Sequence, residues 1–261
     1  REDGGDGVFV GGFAQDIEVS NLNINDVGLS AISVGGSSNS FSNIEINSPA
    51  DDGIQEFGAI PAETNTYEDI TISNAAVGID AQNGVFTNVS ITGSNGDDVV
   101  AERATLNRLE LDGDQVTVPN AVDIVINSES NPTPPPMDPD GTANALGTYV
   151  NLSLPSDGSG FNQVGDLRLF YNPNDLNPDE TATALIDTGS GWEELESTTG
   201  SINGESYVEV TETLGDTGGG TSGFQEGVVG IFGRNTSNPA VTNVTTNPTS
   251  PVKYTYGNRD P

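Results

Sequence analysis

One pattern, apolar-x-x-apolar-x-apolar, recurs five times in the first half of the chain. The copies are VSNLNIN from Val19, FSNIEIN from Phe41, YEDITIS from Tyr67, FTNVSIT from Phe86 and LNRLELD from Leu106. Their starts are separated by 22, 26, 19 and 20 residues. The alternation predicts strands with one buried face, and units of this size bury that face only when copies stack on each other.

A second, shorter apolar piece lies between successive copies of the pattern. These pieces are VGLSAISV from Val27, GIQEFGAI from Gly53, VGIDAQNG from Val77 and DVVAERA from Asp98. GVFVGGFAQDIEV from Gly7 adds an earlier partial coil, and QVTVPNAVDIVI from Gln115 is expected to close the series. The arrangement resembles the right-handed parallel β-helix of many pectinases, tailspikes and surface proteins. It implies about six short coils, and an antiparallel β-sandwich is the alternative fold.

The composition changes twice beyond the repeats. We therefore predict a β-helix over residues 1–126, a Pro-rich linker over 127–142, an antiparallel β-sandwich over 143–234 and an extended tail or arm over 235–261. In the third region, LRLFYNPNDLNPDETATALID, GWEELES and GVVGIFG occur in an order that resembles a β-sandwich of haloarchaeal surface proteins. In that family the domain often precedes a C-terminal Pro-Gly-Phe anchoring signal, which the given sequence does not contain.

The charge of the chain excludes several classes of function. The formal net charge is −32, from 39 acidic and 7 basic residues, and the chain has no His and no Cys. Such a surface repels nucleic-acid phosphates and anionic membranes, and no apolar run is long enough to span a membrane. Lys253 is the only lysine. This acidic, lysine-poor composition resembles proteins of extremely halophilic archaea and their viruses.

Without His or Cys, the chain cannot build a Ser-His-Asp site, a Cys-His site or a His- or Cys-ligated zinc site. The remaining chemistry is that of paired carboxylates, which glycoside hydrolases use as acid and base. The candidates are the doublets Asp51–Asp52 and Asp97–Asp98, with Arg103 as the nearby base that β-elimination would need. Resemblance to β-helix pectinases argues against catalysis, because their His and basic strand motif are absent here. We expect no catalytic residue.

No cofactor is expected. A structural Ca²⁺ or Na⁺ ion held by acidic loops stays an open alternative, although no EF-hand spacing is present. Four Asn-x-Ser/Thr sequons are candidate glycosylation sites: Asn88, Asn151, Asn235 and Asn243.

The tail contrasts with the rest of the chain in its charge. Lys253 and Arg259 are basic, and Val252, Tyr254 and Tyr256 alternate with polar residues as a strand does. These five residues are candidates for an assembly arm that lies on the acidic surface of its own or a neighbouring subunit.

These features together predict a non-enzymatic display protein on the exterior of a halophilic archaeal virus, as a turret, spike or tail fibre, or on an archaeal cell surface. Its expected partners are other copies of itself, other subunits of a surface assembly, and a host or cell-surface glycan or glycoprotein, with no nucleic acid and no membrane span. The alternative, from a different class, is a β-helix polysaccharide lyase or hydrolase acting on surface glycans.

Overall fold

The computed structural model describes residues 5–58, 64–130, 132, 134, 136–137, 141–154, 163–211, 214–215 and 226–235. Over these residues the protein is all-β, with a single 3₁₀ turn at Pro173–Asp175. No helix in this part of the chain has the length and apolarity needed to cross a membrane.

The five repeated patterns form one parallel ladder. Its strands are β2 (Glu18–Asn25), β4 (Ser40–Asn47), β6 (Asn65–Ser73), β8 (Gly84–Thr92) and β9 (Val99–Leu111). The register places Val19, Phe41, Tyr67, Phe86 and Leu106 beside one another in succession. The alignment predicted from the sequence is therefore the observed register, despite spacings that vary between copies.

The shorter apolar pieces form a second parallel ladder. It contains β1 (Val8–Val10), β3 (Ile32–Val34), β5 (Ile54–Glu56), β7 (Ile79–Ala81) and the first residues of β9. In this ladder Ile32, Ile54, Ile79 and Val99 lie side by side. Because the chain alternates between the two ladders, it winds into a β-helix, as the repeats predict.

Stacked side chains of like kind fill the interior. The rings of Phe41 and Tyr67 stack at 5.0 Å between centroids, and those of Tyr67 and Phe86 at 4.5 Å. All three rings are fully buried. Ile46, Ile72 and their neighbours form parallel aliphatic columns beside them. Every coil thus buries its apolar face against the next one, and burial of that surface is the main force holding the coils together.

A column of residues with left-handed backbone bends each strand of the first ladder at the same position. Asn21, Asn43, Asp69, Asn88 and Arg108 have φ between 52° and 57°. Asn and Asp tolerate this conformation better than other non-glycine residues. The Asn43 amide donates to Oδ1 of Asn21 at 2.7 Å, and the Asn88 amide donates to Oδ1 of Asp69. The column is an outward-facing polar ladder along the β-helix.

The prediction that the segment from Gln115 forms the last coil is wrong, and the β-helix has about four turns rather than six. Strand β10 (Asp114–Ser128) runs antiparallel to β9 instead of stacking on it in parallel. Asp112 and Gly113 form the two-residue loop of a hairpin, with φ of 49° and 100°. Positive φ at both loop residues is the geometry of a type I′ turn, for which Asp-Gly is a preferred sequence. The chain reverses there before it can begin another coil.

The second half of the chain is built from antiparallel strands. They are β11 (Pro136–Met137), β12 (Gly141–Thr142), β13 (Asn144–Ser153), β14 (Gln163–Gly165), β15 (Arg168–Tyr171), β16 (Glu180–Asp187), β17 (Trp192–Glu194), β18 (Ser197–Ile202), β19 (Glu205–Val210), β20 (Leu214–Gly215) and β21 (Gly227–Asn235). The free edge of β10 pairs with β13, β14 and β15, so these strands continue the sheet that begins in the β-helix. Trp192 packs edge-on against Phe232, with 4.8 Å between the ring centroids, in a separate small cluster.

Candidate functional site

The outward face of the second ladder carries a chemically mixed row of side chains. Phe9 lies beside Ser33, Ser33 beside Gln55, and Gln55 beside Asp80, with Val100 of β9 next in line. The row exists because alternate residues of a strand point to opposite faces, and the other alternate residues fill the core. Along the β-helix it therefore presents an aromatic ring, an amide and a carboxyl, whereas the Ser33 residue in the row is buried.

An aromatic pair marks one end of this row. The ring of Phe9 stacks on that of Phe57 at 5.6 Å between centroids and 23° between planes. Phe9 is 63% exposed, which is unusual for a residue of this size. A groove of about 260 Å³ beside the pair is also lined by Asp51, Gln55 and Ser33. Neither the Asp51 carboxylate nor the Gln55 amide is hydrogen bonded to another side chain in the described residues.

Two further carboxyl groups next to this groove have perturbed acidity. Burial, together with the charges of Asp51 and Asp80, raises the pKa of Asp52 to about 7, although a hydrogen bond with the Ser30 side chain acts in the opposite direction. Burial raises the pKa of Asp80 as well, with further contributions from Glu56, Glu102 and Asp51. Asp52 is therefore largely protonated below neutral pH, which is an acid–base property that its sequence neighbours do not reveal.

The two aspartate doublets predicted from the sequence do not form one site. Both lie on the turn that precedes a strand of the second ladder, but one intervening coil separates them. Ala76 of that coil donates its backbone N–H to the Asp51 carbonyl, and Gly78 donates to the Asp97 carbonyl. Two strand spacings correspond to about 10 Å. Asp51 is exposed, whereas Asp52 and Asp98 are buried.

Asp97 and Asp98 instead fasten the end of β10 to the last turn of the β-helix. The Asn127 amide donates to Oδ1 of Asp97 at 3.0 Å, and the backbone N–H of Asp98 donates to Oδ1 of Asn127 at 2.7 Å. Oδ2 of Asp98 accepts from the backbone N–H of Ser128 at 2.6 Å. These contacts give the second doublet a structural role. Arg103 is exposed on β9 and takes part in no salt bridge within the described residues.

Glu56 is a buried polar residue that the sequence analysis missed. It occupies an inward position of the second ladder, where β3 has Val34 beside it. Its carboxylate accepts hydrogen bonds from the Asn65 amide, the Tyr67 hydroxyl and the backbone N–H of Gln82, at 2.9 to 3.1 Å. The sequence does contain a signal that identifies Glu56, because it is a charged residue at a position of the repeat where an apolar residue is expected.

A polar ladder continues from this carboxylate toward the first coil. The Asn65 amide also donates to the Gly36 carbonyl, and Oδ1 of Asn65 accepts from the Asn39 side chain at 3.1 Å. Oδ1 of Asn39 in turn accepts from the backbone N–H of Ile17. Buried polar groups are tolerated when they are hydrogen bonded, and here they fix the corner between the two ladders.

No family model, curated protein or solved structure matches this chain. Function is therefore inferred from the chemistry of the site alone.

A second groove, of about 460 Å³, lies where the β9–β10 hairpin meets the antiparallel strands. Asp114, Tyr171 and Glu205 are among its lining residues. Burial raises the pKa of Asp114 to about 6, a hydrogen bond from the Tyr149 backbone N–H lowers it, and the charge of Asp112 raises it. This groove has no exposed aromatic pair comparable with Phe9 and Phe57.

Three of the four predicted glycosylation sites lie in the described residues. Asn88 is exposed, but its amide already donates to Asp69. Asn151 lies within β13, between β10 and β21, and Asn235 is exposed at the end of β21. No group of three or more Asp or Glu among the described residues is arranged to hold a metal ion. The fourth sequon and the five arm candidates lie outside the described residues: Asn243, Val252, Lys253, Tyr254, Tyr256 and Arg259.

Proposed function

We propose that this protein is a non-enzymatic surface protein that binds an extended glycan along the second ladder of its β-helix. The observation that carries the proposal is the exposed Phe9 ring, stacked on Phe57 beside Asp51 and Gln55. An aromatic ring packs well against the C–H face of a sugar, while carboxylate and amide groups hydrogen bond its hydroxyls. The groove therefore combines the two kinds of contact that a sugar offers.

The small volume of the groove and its place beside the outward row favour an extended glycan chain over a compact small ligand as its occupant. At about 260 Å³ it is smaller than most ligand pockets, which span roughly 300–1,000 Å³. One of its lining residues, Gln55, belongs to the outward row, which continues to Asp80 on the next strand. One sugar residue would stack on Phe9, and its neighbours would follow the row along the β-helix.

The outward face of the first ladder is a weaker candidate, because its polar groups already bond to one another. The Asn47 amide donates to Oδ1 of Asn25 at 3.0 Å, and the Ser73 hydroxyl donates to Oδ1 of Asn47 at 2.7 Å. The Asn23 amide likewise donates to Glu45. A glycan bound there would have to displace these hydrogen bonds, whereas Asp51 and Gln55 have their hydrogen-bonding capacity available.

The setting we propose is extracellular, on the exterior of a halophilic archaeal virus or on an archaeal cell surface. The net charge of −32 supports it, because ~1 M salt shortens the screening length to about 3 Å and makes such a surface tolerable. In the same proposal the β-helix is right-handed, the antiparallel strands form a sandwich that presents it, and the partners are surface subunits and a host glycan or glycoprotein.

The test is retention of purified haloarchaeal surface glycans in ~3 M NaCl, at which charges on the protein surface are almost fully screened. Bound sugar and cleaved sugar are measured in the same sample. We expect retention without new reducing or unsaturated ends, and a loss of about tenfold or more in affinity for Phe9→Ala. The matched control is Phe13→Ala, which removes an even more exposed ring that does not line the groove. Equal retention by both variants would refute the site.

The second candidate function is glycan cleavage, favoured by one observation. Asp52, with a pKa of about 7, lies near the exposed carboxylate of Asp51, and an acid with raised pKa beside an ionised carboxylate is what acid–base cleavage requires. New sugar ends in the same assay, abolished by Asp51→Asn and Asp52→Asn but not by Asp97→Asn, would establish an enzyme.

A further inference from the structure

Exposed large apolar side chains are concentrated on the first coil. Among the described residues, five of the six lie between residues 9 and 29, and only Ile202 lies elsewhere. Two of the five line the groove described above, and the other three are Phe13, Ile17 and Leu22. Scattered exposed apolar residues are ordinary, but a concentration of them on one coil marks an interaction surface.

The apolar core is open at this coil. Leu22 begins a column that continues through Ile44 and Ile70. Leu22 is 36% exposed, whereas Ile44 and Ile70 are at most 2% exposed. In the described part of the chain β2 pairs only with β4, so nothing there covers its outer edge as β2 covers that of β4. Proteins normally protect such an edge with Lys or Pro, and β2 contains neither.

The other end of the first ladder shows which cover this fold accepts. Strand β10 runs antiparallel along the outer edge of β9 and places Val116 opposite Leu109, the last member of the column that Leu22 begins. An antiparallel strand therefore fits the end of this parallel ladder. It also occupies β9, so a second molecule cannot stack its first coil there.

A second copy can consequently meet the open end only with its own first coil. The surface that fits a coil of this repeat is another coil, as every pairing between β2 and β9 shows. Contact of two identical coils around a two-fold axis is isologous, so the association closes with two molecules and does not continue into a fibre.

The sequence of β2 is complementary to itself in the antiparallel direction. The left-handed backbone at Asn21 bends the strand, so its straight part is Leu22–Asn25. Opposite residues of an antiparallel pair point to the same face. With Leu22 opposite Ile24 of the second copy, both inward positions meet apolar residues. Asn23 then lies opposite Asn23 of the second copy, on the two-fold axis.

The acidic side chains near β2 permit this contact at high salt. Asp16, Glu18 and Asp26 are exposed, and two copies would bring these like charges together. Salt of ~1 M shortens the screening length to about 3 Å, so the repulsion is small under those conditions. We propose that two copies of this chain associate through their first coils, with β2 antiparallel to β2 around a two-fold axis. The inference does not depend on glycan binding by the groove.

Sedimentation analysis in NaCl at ~3 M, where surface charges are screened, tests the association. We expect the mass to approach twice 27.0 kDa as the concentration rises. One coil from each molecule is a small interface, so the dissociation constant should be about 1–100 μM. Ile17→Lys should weaken the dimer by about tenfold or more, because it places a charge at an apolar contact. The matched control is Ile202→Lys, at a residue of similar exposure, which should leave the dimer unchanged.

A chain that stays monomeric at ~1 mM would refute the proposal. Equal weakening by the two lysine variants would refute it as well.

Cross-linking tests the two-fold register. The chain has no Cys, and Asn23→Cys would place two thiols opposite each other, with about 5 Å between their Cα atoms, which a disulfide can bridge. Asn25→Cys is the control at an equally exposed position of the same strand. Its two copies would lie about 13 Å apart, so only Asn23→Cys should cross-link on mild oxidation. Equal cross-linking of the two variants, or of neither, would contradict the register.

Hydrogen exchange distinguishes a second copy from any other cover of β2. On dilution below the dissociation constant, exchange of residues 18–25 should accelerate by about tenfold or more, while exchange of β8, at residues 84–92, stays unchanged. Protection of β2 that does not depend on concentration would refute the proposal, because the cover would then belong to the same molecule. Comparing Phe9→Ala with Phe13→Ala in an Ile17→Lys background tests the groove separately from the dimer.

Discussion

The hydroxyl of Tyr67 donates a hydrogen bond of 3.0 Å to Oε1 of Glu56, deep inside the β-helix. Tyr67 belongs to the first ladder and Glu56 to the second, so this bond joins the two walls of the coil. Burial, with the adjacent Glu56 carboxylate, raises the pKa of the Tyr67 phenol well above its ordinary value, so the donor stays protonated.

Replacing Tyr67 with Phe should therefore lower the free energy of unfolding by about 1–3 kcal/mol. The ring stack with Phe41 and Phe86 is preserved in this variant, but the buried Glu56 carboxylate loses one donor. Denaturant titration measures the loss, with Tyr207→Phe as the control, because no hydrogen bond of the Tyr207 hydroxyl occurs in the described residues. Equal losses in the two variants would contradict this role of Tyr67.

Asp52 should make the protein less stable as the pH rises toward neutrality. Its pKa is about 7 in the fold and about 3.8 when unfolded, so the native state binds the extra proton between these values. The contribution of Asp52 to the free energy of unfolding is complete below pH ~4 and is lost above pH ~7. Between these pH values it falls by about 1.4 kcal/mol for each pH unit. Asp52→Asn should flatten this slope and stabilise the protein at pH 8. Glu68→Gln, which removes an exposed carboxyl, should leave the slope as it is.

The turn between β9 and β10 should depend on glycine. Gly113 has φ of 100°, and a Cβ there would meet no atom within 4 Å, so any cost of substitution is conformational. Gly113→Ala should destabilise the protein by roughly 1–3 kcal/mol. Asp112→Asn should be tolerated, because Asn also adopts the left-handed conformation. Thermal unfolding of the two variants distinguishes them, and an unaffected Gly113→Ala protein would refute the proposed turn constraint.

Transfer from about 3 M NaCl to 0.1 M NaCl should unfold the protein or greatly lower its melting temperature. At 0.1 M the screening length grows to about 10 Å, and the 39 acidic residues then repel one another across the surface. Circular dichroism during dialysis measures the change. A spectrum that does not change at 0.1 M NaCl would contradict the halophilic interpretation.

The strand registers were predictable because a period-two pattern and a stacking unit constrain each other. Once Phe41 was aligned with Tyr67 and Phe86, the remaining positions of those coils followed. The reversal after Leu111 was also encoded locally, in Asp112–Gly113, but the apolar run that follows resembles another coil.

The candidate groove was not predictable from the sequence in the same way. Phe9, Ser33 and Gln55 come from three coils, and each lies in an outward position that no local pattern marks as functional. The exposure of Phe9 arises because its coil is the first one. The separation of the two aspartate doublets likewise depends on the coil between them, whose turn carries Ala76 and no carboxylate.

Strand β10 is shared between the two halves of the chain, with β9 along one edge and β13, β14 and β15 along the other. Neither half can therefore unfold without stripping hydrogen bonds from the other, and the described part of the chain should melt as one cooperative unit. A fragment that ended at Ser128 would expose a strand of 15 residues along its whole length, and aggregation of that edge would compete with its folding.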